Sequence, residues 1–200
     1  MARSKKNYDT NRETLIKIAL DLFLEKGYEN TTVSQIMKVA SLSKGGMYHY
    51  FSSKEDILNA VIQFGLTQEI ERLRATVDAL PVEERLLGFA QNSDVSDFTS
   101  KLLSYSSLHQ DSIVAYKVRE YNTYLIIPLL TEILEQGIVA GIYKIAYPKE
   151  VSEFCALLVR AIADTNLLPA TDTAGQLRRL ETFFILYMPV SNLRQLMPNS

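Results

Sequence analysis

Two helix starts separated by a turn of three residues, both inside Thr31–Lys54 (TTVSQIMKVASLSKGGMYHYFSSK), constrain this chain more than any other stretch. Thr31 or Thr32 can cap the first helix with a hydroxyl. Val33, Ile36, Met37 and Ala40 then recur at the spacing of one inner face. Ser41-Leu42-Ser43 is too short to be a free loop, and Ser43 can cap a second, very short helix over about Lys44 to Tyr50. Met47 and Phe51 sit four apart and can both point to a core. That leaves Lys44, Gly45, Gly46, His49 and Tyr50 mostly outward, with Tyr48 at the edge. A brace, a tight turn and a slim helix of small, cationic and aromatic residues is the layout of a helix-turn-helix that enters a DNA groove.

The remainder reads as helix nearly throughout, since β-branched runs are short and helical periodicity recurs. A first helix is expected over about Thr10–Lys26, with the stripe Leu15, Ile18, Ala19, Leu22 and Phe23 and with Gly27 placed as its left-handed cap. Ser52, Ser53, Lys54, Glu55 and Asp56 open a long fourth helix, with acids in its first turn, that Pro81 must end. Short helices are expected over about Val82–Gln91 and Val95–Ser107. A long one should run from about Asp111 to Gly137, kinked at Pro128, and another from Pro148 to about Leu168. The last should run from about Thr173 to Met188. The expectation is an all-α chain of about nine helices, divided into 1–54 and 55–200.

Several classes are set aside by composition. A chain of 200 residues, 47% apolar and 22% charged, suits an ordinary globular fold with a real core. Apolar runs fall short of the roughly 18–20 residues that span a bilayer, and the cationic start has no apolar segment behind it, so a cytoplasmic protein is expected. A single cysteine, Cys155, leaves no internal disulfide and no cysteine-based metal site. Net charge is only −2, but residues 1–54 hold nine Lys/Arg against five acids, a balance of +4, so the rest carries −6. A cationic head on an acidic body is what a polyanion-binding module shows.

Each outward residue has a chemical use and a plainer alternative. Lys44 and Lys54 suit phosphates, each near a helix N-terminus. Thr31 or Thr32 could offer a hydroxyl in the same way, or be plain caps. Gly45 and Gly46 allow close approach to a groove floor, or merely loosen the helix at about 1 kcal/mol each against alanine. Tyr48, His49 and Tyr50 can present donors to phosphates and ring faces to thymine methyls, unless one tyrosine packs in the core. His49 has no second ligand one turn away, so no metal is expected there.

Taken together, Thr32-Val33-x-x-Ile36, then Ser43-Lys44-Gly45-x-x-Tyr48-His49-Tyr50-Phe51, then Ser53-Lys54-Glu55 resembles the TetR family of transcriptional regulators over about residues 10–60. The resemblance implies a three-helix DNA-binding head and a helical ligand-binding body. It also implies a homodimer through the last two long helices (about 148–168 and 173–188) on a palindromic operator of double-stranded DNA, with repression relieved by a small-molecule effector. Three departures stand out, the first being Met37-Lys38-Val39 in place of a more usual Ala-x-x. Ser41-Leu42 occupies a turn where Gly-Val is frequent, and Gly46 stands where a Thr or Ser often touches DNA.

The body is rich in amphipathic rings. Phe89, Tyr105, Tyr116, Tyr124 and Phe154 could line an apolar pocket for a hydrophobic effector, or equally belong to a core or a subunit interface. An enzyme is not expected: two histidines, one cysteine and no phosphate-cradling glycine loop form no catalytic constellation, and no cofactor is implied. The rival non-enzymatic reading is an all-helical ligand-binding or adaptor protein, which leaves the cationic short helix unexplained. An activator of the same fold is the other alternative.

Overall fold

The computed structural model describes residues 2–91, 96–109 and 112–163. These form eight helices and no strand: α1 (Ala2–Lys26), α2 (Val33–Val39), α3 (Lys44–Tyr48), α4 (Lys54–Asp78), α5 (Val82–Gln91), α6 (Asp97–Leu108), α7 (Ile113–Val139) and α8 (Pro148–Ala163). The all-α expectation holds. The helix expected over about 173–188, and with it half of the expected dimer interface, lies outside the described residues. The one large boundary error is at α1, which starts at Ala2 and not near Thr10. Nothing in Ala2–Asp9 breaks a helix, but the apolar stripe begins only at Leu15, so periodicity had no buried face to detect there.

The chain divides into two compact units, Met1–Glu69 with Val95–Tyr121, and Ile70–Asp94 with Asn122–Ser200. In the first, Leu15, Ile16, Ala19, Leu22 and Phe23 of α1 are buried, as are Ile36, Met47, Phe51, Ile57, Leu58, Val61 and Ile62. Met47 and Phe51 therefore point inward as their spacing predicts. The first unit also takes in α6. The ring of Phe98 lies so close to α4 that a Cβ on Gly65 would fall 2.8 Å from it, and Thr99 Oγ1 donates to the Gly65 carbonyl at 3.3 Å. At the other end of the unit, Lys117 of α7 pairs with Glu55 of α4 at 2.9 Å.

In the second unit Val77, Leu86, Leu129, Leu130, Ile133, Leu134, Tyr143 and Cys155 form a buried cluster, with Phe89 packed against it. Burial pushes the Cys155 thiol up to about 12, so it serves as a small apolar packer and not as a thiolate. The end of α7 is a glycine-based stop. Ile142 N–H donates to Gly137 C=O at 2.8 Å and Gly141 N–H to Ile138 C=O at 3.0 Å, with Gly141 at φ +74°. That pair of bonds is the Schellman motif.

Candidate nucleic-acid interface

The head is built from caps. Thr32, not Thr31, caps α2: its hydroxyl accepts from Gln35 N–H at 3.3 Å while Gln35 Oε1 accepts the Thr32 N–H at 2.8 Å, a complete capping box. Ser43 caps α3 by accepting the Gly46 N–H at 3.2 Å. Ser53 caps α4 by accepting the Asp56 N–H at 3.0 Å. Between α2 and α3 the chain closes with the same Schellman pair seen at α7. Leu42 N–H reaches Met37 C=O at 3.0 Å and Ser41 N–H reaches Lys38 C=O at 3.3 Å. Here the left-handed residue is Ser41, at φ +53°. The turn where Gly-Val is frequent is therefore a backbone Schellman turn with a non-glycine residue at its left-handed position.

This frame turns one face of α3 outward. Lys44, Gly45 and His49 are exposed, and Tyr48 is 52% exposed. Lys44 Nζ lies 6.0 Å from the centre of the Tyr48 ring, so cation and ring form one patch. Gly45 has open space where a Cβ would stand, with nothing within 4 Å. Gly46 differs, since a Cβ there would meet Leu42 Cδ2 and Ser43 Oγ, both at 3.3 Å. Its lack of a side chain therefore relieves the turn as well as the outer face. Tyr50 is half-buried: its hydroxyl lies 3.4 Å from Asn11 Nδ2 of α1, and its ring meets His49 edge-on at 5.3 Å.

Two residues with an expected interface role are spent elsewhere. Thr31 is fully buried, and its hydroxyl is shared between the carbonyls of Gly27 (2.9 Å) and Leu22 (3.2 Å). It ties the loop after α1 back to the end of that helix, and with no exposed surface it is corrected from a DNA contact to a buried tie. Tyr105, expected to line a pocket, acts as a strut to the head. Its hydroxyl accepts the Tyr28 N–H at 3.2 Å, and its ring stacks on His109 at 4.3 Å. Lys54 is half-buried and donates to Tyr28 C=O at 2.9 Å and Glu29 C=O at 3.2 Å, with its ammonium 4.3 Å from the Tyr28 ring centre. Two of its three donors thus hold the loop behind the recognition helix. Tyr28, which had drawn no notice in the sequence, is the common partner; burial, with Glu55 and Glu29 nearby, raises its pKa. The only advance signal was its position directly after the capping Gly27.

The remaining aromatics of the expected pocket are divided between the units. Tyr116 belongs to the first and is 51% exposed; Tyr124 and Phe154, in the second, are 72% and 63% exposed. None of these three is enclosed in the single chain.

Residues 15–61 match the model of the bacterial regulatory proteins, tetR family. That segment runs from the apolar stripe of α1 to the first turns of α4 and contains the whole outward face of α3. Residues 15–61 are thus a TetR-type DNA-binding head. The chain is 31% identical over 70 residues to the uncharacterized HTH-type transcriptional regulator YfiR of Bacillus subtilis, covering 35% of this chain and 34% of that protein. A longer match, 29% identical over 133 residues, is to the fatty acid metabolism regulator protein of the same organism, covering 64% of this chain and 68% of that one. To the HTH-type transcriptional repressor KstR2 of Rhodococcus jostii the chain is 31% identical over 57% of its own length and 55% of that protein's. It thus spans about a third to two thirds of these relatives. A TetR-family regulator of Mesorhizobium loti has the same fold, with a TM-score of 0.64 at 17% identity over 90% of this chain and 98% of that one.

Proposed function

We propose that this protein is a ligand-responsive transcriptional repressor of the TetR family. In this reading residues 1–54 read a palindromic operator, and residues 55–200 bind the effector and form the homodimer. The observation that carries the DNA-binding part is the outward face of α3, where Lys44, Tyr48 and His49 surround a glycine whose missing side chain no contact within the protein requires. Cations for phosphates, rings and donors for base edges, and room for close approach are what major-groove reading needs. The repressor KstR2 and the fatty acid metabolism regulator among the relatives support repression and a hydrophobic effector. Tyr124 and Phe154 of the second unit, both exposed, suit surface covered in a subunit pair or around such a ligand. The reading is non-enzymatic and cytoplasmic, and no described helix is long and apolar enough to cross a membrane.

The test is a mobility shift on the region upstream of the protein's own gene, with and without hydrophobic compounds. A shift that a compound reverses is expected; no shift with any DNA at low salt overturns the reading. Within it, Lys44→Ala should weaken binding to all sequences and lower the slope of log affinity on log salt by about one unit. An unchanged slope would remove the phosphate role of Lys44.

A further inference from the structure

Within the first unit α6 is fastened at both of its ends, and the two fastenings differ in kind. At its start, Ser96 N–H donates to Glu69 Oε2 of α4 at 3.0 Å, and Thr99 Oγ1 donates to Gly65 C=O of the same helix at 3.3 Å. Gly65 lies inside α4, so its carbonyl has a helical donor already and the Thr99 hydroxyl is a second one. At the other end the Tyr105 hydroxyl accepts the Tyr28 N–H at 3.2 Å. Tyr28 follows Gly27, whose φ of +82° turns the chain out of α1. Its N–H has thus left the ladder of that helix, and a side chain 77 positions away is the acceptor it receives.

The carbonyl of the same residue is held by the head itself. Tyr28 C=O accepts from Lys54 Nζ at 2.9 Å and from Thr31 N–H at 3.2 Å, and the Tyr28 ring meets Phe23 edge-on at 5.2 Å. Thr31 leads directly into Thr32, the N-cap of α2, and α2 passes into α3 through the Schellman turn at Ser41. Tyr28 therefore joins α6 on its donor side to the brace and the recognition helix on its acceptor side.

We infer that Tyr105 is a positioning residue of DNA recognition: its hydroxyl, by holding the Tyr28 N–H, keeps the segment that leads into α2, and so α3, in the placement that reads base edges. The inference rests on the DNA-binding reading above. Reading of base edges needs α3 in register with the groove, whereas the attraction of cations to phosphates tolerates displacement. Without the hydroxyl the part-buried N–H loses its acceptor, and the segment spreads over other placements. Apparent affinity then falls with the fraction of molecules that keep the reading placement.

The test compares the full-length protein with Tyr105→Phe and with a control at the other end of the same helix, Thr99→Val; each variant removes one hydroxyl. Affinity is measured across a salt series for a duplex that the wild-type protein selects from a random library and for a shuffled duplex, at a temperature where melts show each variant folded. Expected for Tyr105→Phe is a roughly tenfold loss on the selected duplex, which corresponds to about one molecule in ten keeping the reading placement. The shuffled duplex should bind nearly as before and the salt slope should stay, since no cation is removed. Thr99→Val should lower the melting temperature and leave the ratio between the two duplexes unchanged. Amide exchange in the wild-type protein reads the same bond without any variant, and the Tyr28 N–H is expected to exchange slowly. A wild-type ratio between the duplexes in Tyr105→Phe overturns the inference and leaves the DNA-binding reading intact. An equal loss of ratio in Thr99→Val reduces the effect to a loosened α6 and overturns it too, as does a Tyr28 amide that exchanges as in an open chain. Wild-type protein that selects no duplex at low salt defeats the DNA-binding reading itself.

Discussion

Lys44 and Lys54 stand ten residues apart in a head whose sequence treats them alike, each beside a hydroxyl cap at a helix start. The structure gives them opposite tasks. Lys44 is exposed beside Tyr48 on the outer face of α3, whereas Lys54 lies over the Tyr28 ring and donates to two carbonyls. The same division separates Tyr48 from Tyr105 and Thr32 from Thr31. In the proposed reading an outer face contacts DNA, while an inner girdle of Thr31, Tyr28, Lys54 and Tyr105 holds the segment behind it. A residue type that suits phosphate also suits any cluster of backbone carbonyls, since a carbonyl at a helix end is itself a partial anion. Type and spacing alone therefore cannot decide between the two roles.

Variants break this comparison in different ways. The largest effect belongs to the peg that joins face to girdle. Met47 has no exposed surface and anchors α3 in the core, so Met47→Ala should cost about 2–5 kcal/mol in unfolding free energy by leaving a cavity. Chemical denaturation measures it, and DNA affinity should fall alongside, because a five-residue helix has little stability of its own. A loss under 1 kcal/mol would mean that α3 is held otherwise. Thr31→Val, the next largest, keeps the shape and removes the hydroxyl from the buried carbonyls of Leu22 and Gly27. It should cost about 1–3 kcal/mol. Its DNA affinity should recover when stability is restored by lower temperature. An affinity loss with wild-type stability would return Thr31 to the outer face.

Much of the head was legible because its signals are local. Caps at Thr31 or Thr32, at Ser43 and at Ser53, the inward pair Met47 and Phe51, and the stop at Gly27 each depend on residues within four or five positions, and the folded chain keeps them, with Thr32 taking the first. The girdle was not legible, because its bonds join residues 26 and 77 positions apart, Lys54 to Tyr28 and Tyr28 to Tyr105. No periodicity encodes such pairs. The extra turns of α1 escaped for another reason: a helix segment without an apolar stripe leaves no pattern to find. The strut role of Tyr105 was not legible because an amphipathic ring in a helix fits a ligand cavity and a structural strut equally well, and only its partner shows the second.

The outer face can be tested against its own stability. Gly45 sits in a helix where alanine is favoured by about 1 kcal/mol, and a Cβ there meets nothing within 4 Å. Gly45→Ala should therefore raise the melting temperature by a few degrees, the shift that about 1 kcal/mol produces in a chain of this size. If the proposed close approach of the groove floor to Gly45 holds, the same change weakens operator binding. More stable protein with undiminished affinity would remove the close-approach argument. A variant of the girdle cannot behave this way, as there stability and affinity must fall together.

The smallest effect lies at the turn between brace and reader. Ser41 and Gly141 occupy the same position of the same Schellman stop, at φ +53° and +74°, yet only one of them is a glycine. A residue with a Cβ pays roughly 1–2 kcal/mol for left-handed backbone, while glycine returns about 0.5–1 kcal/mol of that in lost chain entropy. Ser41→Gly should thus stabilise the protein by only about 0.5 kcal/mol, the difference between these terms. Ser41→Val should do the reverse and cost more, since a β-branched side chain tolerates positive φ least. Paired melts of the two variants would read the strain directly. If Ser41→Gly leaves operator affinity unchanged, the turn only sets the angle between α2 and α3. If affinity falls as stability rises, the serine side chain belongs to the outer face with Lys44, and the boundary between reading and holding runs one turn earlier than Ser43.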